Sequence, residues 1–494
     1  MRTLLIGTDE TLDTLRAQLG LAGERAPIVG ASSPERALDA ARAHGAERAV
    51  VCLPAERAGE RAALFEALRA RGVVVREVPV LAECLASEPR AGVPAARSIE
   101  VGSTIDAGEL VGRARRPIDD ALAGSAITGR TVLITGAGGS IGSELARACA
   151  QLRPARLVIM DRAETGLFEI DRWLGDHEAG VARSAVLHDV VEAQRTGELL
   201  EQYRPDVVFH AAAHKHVPLL EDHPASAVTN NLFGTKAVAD AALAVGAERF
   251  VLISTDKAVH PSSVMGATKR LAETYVHALA SWQRESGAAR TRLCMVRFGN
   301  VLGSAGSVLT VWGQQLAEGH AVTLTDRRMT RYFMTIPEAA GLVVQAGALS
   351  GAGNGSSGEV FVLDMGEPVR IADLAERFCR VHGLEPSWSG APRCAHLVET
   401  GIRPGEKLHE VLSYEAEALG ETLHPSIRVL RRGVWPGRGE VEAMLREMSE
   451  LRRGGAPEAV ASALHAWMER WGGSSTGEGA GPGAEAATLA ESAA

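Results

Sequence analysis

Residues 131–147 read TVLITGAGGSIGSELAR. An apolar run, Thr131 to Thr135, leads into Gly136, Gly139 and Gly142, and the glycines lead into a helix-forming stretch. A strand, a glycine turn and a helix in that order open a dinucleotide-binding parallel sheet. Glycine permits the tight turn and lets the backbone approach a pyrophosphate, which then rests on the helix N-terminus beside Ser140 and Ile141. The next strand, expected over Arg156 to Met160, ends at Asp161, about 25 residues past the first glycine, near the spacing of a ribose-binding acid. Asp161 favours NAD by repelling a 2′-phosphate. Arg162 is the residue type that would accept one, so NADP stays open as the other choice. Two later strand ends suit the same crevice. His188-Asp189-Val190 is placed to hold the adenine edge, and Ala211-Ala212-Ala213 supplies small residues where the cofactor would press on the backbone.

Strands and helices alternate outward from this unit to about residue 300, which predicts an α/β doubly wound parallel sheet of the Rossmann type. A smaller, more irregular substrate-binding portion follows to residue 435. Residues 1–90 alternate in the same way, with strands expected over Thr3–Gly7, Arg48–Cys52 and Val73–Val78 and helices over Ser33–His44 and Arg57–Arg71. The turn Gly7-Thr8-Asp9-Glu10 lacks the glycine spacing and carries carboxylates, so this is a Rossmann-like domain without a dinucleotide signature. Residues 91–129 are a Pro-, Gly- and Arg-rich linker to the cofactor-binding domain of 130–435. Residues 436–471 are a helical segment, and 472–494 form a low-complexity, disordered tail.

Composition narrows the function. A chain of 494 residues is too long for one ordinary core. A net charge of −9 with no basic block argues against nucleic acid as a partner. The six cysteines form no CxxC pair, which fits neither a zinc site nor a disulfide framework. No apolar run reaches the roughly 18–20 residues of a membrane span, and the N-terminus is too acidic for a signal peptide, so the expected location is cytoplasmic.

The chemistry is expected in STDKAVHPSSVMGATK, residues 254–269. An apolar strand, Arg249 to Ile253, delivers Thr255, Asp256 and Lys257 to the carboxyl end of the sheet, where ligands of such folds bind. A following helix carries Lys269. The blocks LITGAGGSIGSEL, HAAAHKHVPLLEDHP, STDKAVHPSSVMGATKRLAE, RFGNVLGSAGSV, MTRYFMTIPEA, VLDMGEPV and GIRPGEKLHE occur in one order. Together, over residues 100–435, they resemble the polysaccharide-biosynthesis nucleotide-sugar 4,6-dehydratases, a branch of the extended short-chain dehydrogenase/reductases. Members commonly carry transmembrane helices before a Rossmann-like domain, and this chain resembles a form without them.

The resemblance implies roles. Asp256 is the acid at sugar C6, Lys257 the base at C5, Thr255 the partner of the C4 hydroxyl, and Lys269 the grip on the nicotinamide ribose. Met265 stands where the wider superfamily has a tyrosine base. A thioether exchanges no proton, so Met265 is neither acid nor base. His214 and Lys215 are implied to face the sugar, Asn300 and Arg331 to lie near the phosphates, Ser307 to contact substrate, and Glu406 to hold the nucleoside ribose. The implied substrate is a nucleotide sugar, foremost UDP-N-acetylglucosamine, and relatives imply a homo-oligomer. A nucleotide-sugar 4-epimerase and a non-catalytic NAD or nucleotide-sugar sensor are the rival readings.

Overall fold

The computed structural model describes residues 116–472, with short breaks at 117, 288–289, 352–356, 383, 392–393, 415–416 and 432–434. Before these it describes 2–7, 28–33, 36–52 and a few positions up to 77. The turn at 8–11, most of the helix expected over Arg57–Arg71, the connector from 78 to 115 and the tail 473–494 lie outside the described residues.

The first strands, β1 (Thr3–Gly7), β2 (Ile28–Ser32), β3 (Arg48–Cys52) and β4 (Val74–Glu77), form a parallel sheet in the order β2-β1-β3-β4. Leu4, Ile6, Ala49 and Val51 fill its core. This segment belongs to a compact unit that also takes in Val301–Thr335 and Glu367–Ile402.

The second unit, Arg115–Asn300, Ile336–Gly366 and Arg403–Ala494, holds the large sheet. Its strands are β5 (Thr131–Thr135), β6 (Arg156–Asp161), β7 (Arg183–Leu187), β8 (Val207–His210), β9 (Arg249–Ile253), β10 (Arg292–Arg297), β11 (Glu359–Leu363), β12 (Leu419–Glu421) and β13 (Ile427–Leu430). They lie in the order β12-β13-β11-β10-β9-β8-β5-β6-β7, parallel from β7 to β11 and antiparallel at β13 and β12. Counting from β5, the parallel run is 3-2-1-4-5-6-7, the doubly wound order 3-2-1-4-5-6 extended by one strand, and its direction of travel reverses between β5 and β8. β5, β8 and β9 are buried almost end to end, as strands covered on both faces must be.

The stretch read as an irregular linker contains a helix, α1 (Asp120–Ile127). The Asp119 carboxylate caps it, accepting from the Leu122 amide at 3.0 Å, and the Asp119 amide donates to Gln345 on α5 (Ile336–Leu349) at 2.8 Å. Tertiary packing, invisible in an Ala/Gly-rich octamer, decides that element. α2 (Ser140–Gln151) follows the glycine turn, and α3 (Thr235–Ala244) continues a π-helical segment over Val228–Gly234. α4 (Val264–Glu285) begins where Ser263 accepts a hydrogen bond from the Gly266 amide at 3.1 Å, as a helix-capping serine does. The closing segment is a helix pair, α6 (Arg438–Gly454) and α7 (Pro457–Gly472). Val441, Met444, Met448, Val460, Leu464 and Trp467 sink into the same core as Leu271, Tyr275 and Val276 of α4. No helix among the described residues is long and apolar enough to cross a membrane.

Candidate active site at the carboxyl edge of the large sheet

A cleft opens at the point of reversal. Gly136 and Gly139 line it, with Asp161, Arg162, Asp189, Val190, Ala211, Ala212, His214 and Asn230. Residues from four expected strand ends therefore meet in one place. A Cβ on Gly142 would overlap the Gly136 carbonyl oxygen, so the first turn of α2 sits directly against the glycine loop. That approach leaves backbone amides and the positive end of α2 for an anion, and the cleft residues could hold a dinucleotide with its pyrophosphate on this turn.

Asp161 does a second job. Its Oδ2 accepts from the Gly138 amide and its Oδ1 from the Ala163 amide, each at 2.8 Å, so the carboxylate clasps the glycine loop to the end of β6. Arg162 reaches Asp189 at 3.5 Å and also contacts the His214 ring. His214, implied by resemblance to face a sugar, thus lines the cofactor cleft, while Lys215 next to it is exposed.

A chain of polar side chains lies beneath the cleft. Thr135 meets His210 Nδ1 at 2.7 Å, and His210 Nε2 meets Thr235 at 3.0 Å. Burial, with Lys269 nearby, pushes the His210 pKa down to about 3, so the ring is neutral. Asn231 accepts from the His214 amide at 2.8 Å and donates to Thr268 of α4 at 3.1 Å. Asn230 and Asn231 sit in the π-helical segment, whose extra residue per turn aims them inward. Consecutive asparagines in VTNNLFG were the available signal, and sequence reasoning did not use it.

The catalytic candidates gather at the end of β9. Hydrogen bonding to β10 continues past the end of β9, from the Ser254 amide to Val296 at 2.8 Å and from the Asp256 amide to Phe298, just beyond β10, at 3.0 Å. Asp256 is fully buried. Its Oδ1 accepts from Thr255 Oγ1 at 2.8 Å and from Lys257 Nζ at 2.9 Å, whereas its Oδ2 is buried with no hydrogen-bond partner among the described residues. Lys257 Nζ also donates to Asn300 Oδ1 at 3.1 Å. A Cβ on Gly266 would overlap the Lys257 carbonyl oxygen, so α4 presses this turn into place. Met265 is buried in the apolar core. Lys269 donates to the Ile253 carbonyl at 2.6 Å, and burial lowers its pKa to about 8, with Glu273 partly offsetting.

A charge cluster supports the turn from below. Ser254 donates to Glu273 at 2.7 Å, Arg297 grips both oxygens of Glu273 at 2.8 Å, and Arg297 also reaches Glu417 at 2.9 Å. Residues 405–414 dock on the same loop: Lys407 donates to the Val259 carbonyl at 2.8 Å, and Ser262 to the Gly405 carbonyl at 3.1 Å. Glu406 accepts from the Arg403 amide at 3.2 Å. Ser307 and Arg331 belong to the other compact unit. There Ser307 precedes the helix Val308–Ala317, and buried Arg331 lies on a short strand paired with Val369. No cluster of potential metal ligands occurs among the described residues.

The chain is 40% identical over 393 residues to the probable polysaccharide biosynthesis protein EpsC of Bacillus subtilis, covering 78% of this chain and 61% of that one. It is 33% identical over 287 residues to a UDP-N-acetylglucosamine 4,6-dehydratase (inverting) of Campylobacter jejuni, covering 57% of this chain and 77% of the relative. Among solved structures, Pen from Bacillus thuringiensis matches with a TM-score of 0.54 at 30% identity, over 63% of this chain and 92% of Pen. The family model described as polysaccharide biosynthesis protein matches residues 132–432, and the chain belongs to that family.

Proposed function

We propose that the chain is a nicotinamide-dependent nucleotide-sugar 4,6-dehydratase that takes UDP-N-acetylglucosamine to its 4-keto-6-deoxy product. The observation that carries the reading is the Asp256–Lys257 pair: a buried carboxyl with one oxygen unpartnered among the described residues, joined to an amine, at the carboxyl edge of the sheet. Support for the substrate class comes from the likeness to the Campylobacter dehydratase, and support for the cofactor from the glycine turn and its cleft.

A bound nicotinamide dinucleotide would supply the acceptor that oxidises sugar C4 to a ketone and the donor that reduces C6 after water has left. The protein's part is proton traffic. As C4 is oxidised, its hydroxyl proton passes to a water beside Thr255. The ketone at C4 acidifies the C5 proton, Lys257 in its neutral form takes it, and Lys257 returns a proton to C5 when C6 is reduced. Asp256 gives a proton from Oδ2 to the departing C6 hydroxyl, so the C6–O bond breaks and water is released. Thr255 and Lys257 hold Oδ1, which leaves Oδ2 as the end that faces substrate. Lys269 grips the nicotinamide ribose, and Met265 contributes shape alone.

Incubation with UDP-N-acetylglucosamine and either dinucleotide tests this. A product lighter by one water and reactive as a ketone is expected. Unchanged mass with inversion at C4 would make the protein an epimerase, and cofactor binding without turnover would make it a sensor.

A further inference from the structure

Asn300 follows β10 at the point where that strand's hydrogen bonding has carried Phe298 alongside Asp256. Its amide oxygen lies 3.1 Å from Lys257 Nζ, and Asp256 Oδ1 lies 2.9 Å from the same nitrogen. The lysine is therefore held at both ends, its carbonyl against Gly266 and its amine between two acceptors.

A neutral amine has two N–H bonds and one lone pair, arranged tetrahedrally with the carbon stem. When two fixed acceptors take both N–H bonds, the lone pair has one direction left. The chemistry of the second acceptor matters as well. An amide oxygen orients the amine without the added negative charge that would favour its ammonium form.

We propose that Asn300 is a positioning residue for the proposed proton abstraction, aiming the Lys257 lone pair by accepting one of its hydrogens. This differs from the phosphate contact that resemblance implies for Asn300, and it rests on the 4,6-dehydratase reading. The other charged groups on elements around the turn include Lys269, Arg270 and Glu273 on α4, Arg297 on β10, Glu417, and Lys407 with Glu410. All of them stay in place in the variants below.

The test compares wild type, Asn300→Ala and Asn300→Asp with UDP-N-acetylglucosamine, measuring kcat and KM across pH and exchange of the C5 proton with deuterated water. Wild type is read first: if its product keeps its water, the dehydratase reading fails, whatever the variants do. With that reading intact, Asn300→Ala is expected to lower kcat and C5 exchange about 100-fold, within the range of general-base effects, while KM changes by less than about threefold. Asn300→Asp sets a carboxylate against the amine, so the acidic limb of kcat should move up by about one pH unit or more, with rate recovered at high pH. A wild-type pH limb in Asn300→Asp, together with KM raised about tenfold or more at unchanged kcat, would overturn the assignment and make Asn300 a phosphate contact. Should Asn300→Ala fail to fold, the near-isosteric Asn300→Asp decides alone.

Discussion

The guanidinium of Arg297 binds both carboxylate oxygens of Glu273 at 2.8 Å, and neither side chain reaches solvent. Glu417 completes the cluster at 2.9 Å. Arg270, buried and 3.2 Å from Glu273, joins them, so four charges are buried under the turn that carries Asp256 and Lys257. Replacing Arg297 by Met would leave Glu417 without its guanidinium and Glu273 with Arg270 as its remaining charged partner, a loss expected to cost about 3–5 kcal/mol in equilibrium unfolding. Arg297→Lys should recover only part of this, because a single ammonium cannot bridge the oxygens as a planar fork does. Unfolding of Arg297→Met at the wild-type denaturant midpoint would show that the cluster contributes little.

Acid should weaken the fold in two stages. Buried His210 has its pKa lowered to about 3, so below the usual value of 6.5 the unfolded chain binds a proton that the folded chain refuses. Its contribution is complete above pH 6.5 and is lost at up to about 1.4 kcal/mol per unit as pH falls towards 3. Burial pushes the Glu273 carboxyl up, but Arg297, Arg270 and Ser254 outweigh it and hold the pKa at about 2. That stability is present above the ordinary value of 4.5 and fades between 4.5 and 2. Denaturation series from pH 7 to 4 should show the first stage in wild type, and His210→Gln should make it shallower, the remainder belonging to groups such as His277, whose pKa burial lowers to about 4. An equally steep slope in that variant would assign the first stage to other groups.

Two glycine substitutions should separate cofactor binding from catalysis. Gly142→Ala drives a methyl into the Gly136 carbonyl and should weaken dinucleotide binding at least 100-fold by titration calorimetry. Gly266→Ala drives one into the Lys257 carbonyl and should spare dinucleotide binding while lowering turnover about 100-fold. Wild-type dinucleotide affinity in Gly142→Ala would rule out this turn as the pyrophosphate site.

Met265→Ala removes a buried side chain from the core and should cost about 2–4 kcal/mol of stability. Assayed well below its melting point, it should keep turnover within about tenfold. Asp256→Asn should do the reverse, retaining stability and cofactor affinity while turnover falls about 10²–10⁴-fold. If the two variants lost activity equally, acid catalysis could not be credited to Asp256 alone.

The glycine turn, the order of strand ends and the Asp256–Lys257 turn were legible because each rests on local signals: spacing, an apolar run, a chemically costly residue type. The supports were not. Nothing in the spacing of Arg270 and Glu273 along α4, or in Arg297 at the end of β10, marks them as buried partners. Only the folded chain brings Glu417 to Arg297 and so turns surface-like residues into a buried cluster. Asn231 was hidden similarly, since its inward aim depends on a π-helical register that no pattern of hydrophobicity encodes. α1 was missed for want of amphipathic contrast in eight residues.

The packing of α6 and α7 behind α4 has a consequence for synthesis. The helix that braces Lys257 and carries Lys269 obtains one apolar wall from the final described segments of the polypeptide. α6 and α7 leave the ribosome after Asp256, Lys257 and Lys269, so a message cut short before them would yield the proposed reactive side chains without this backing.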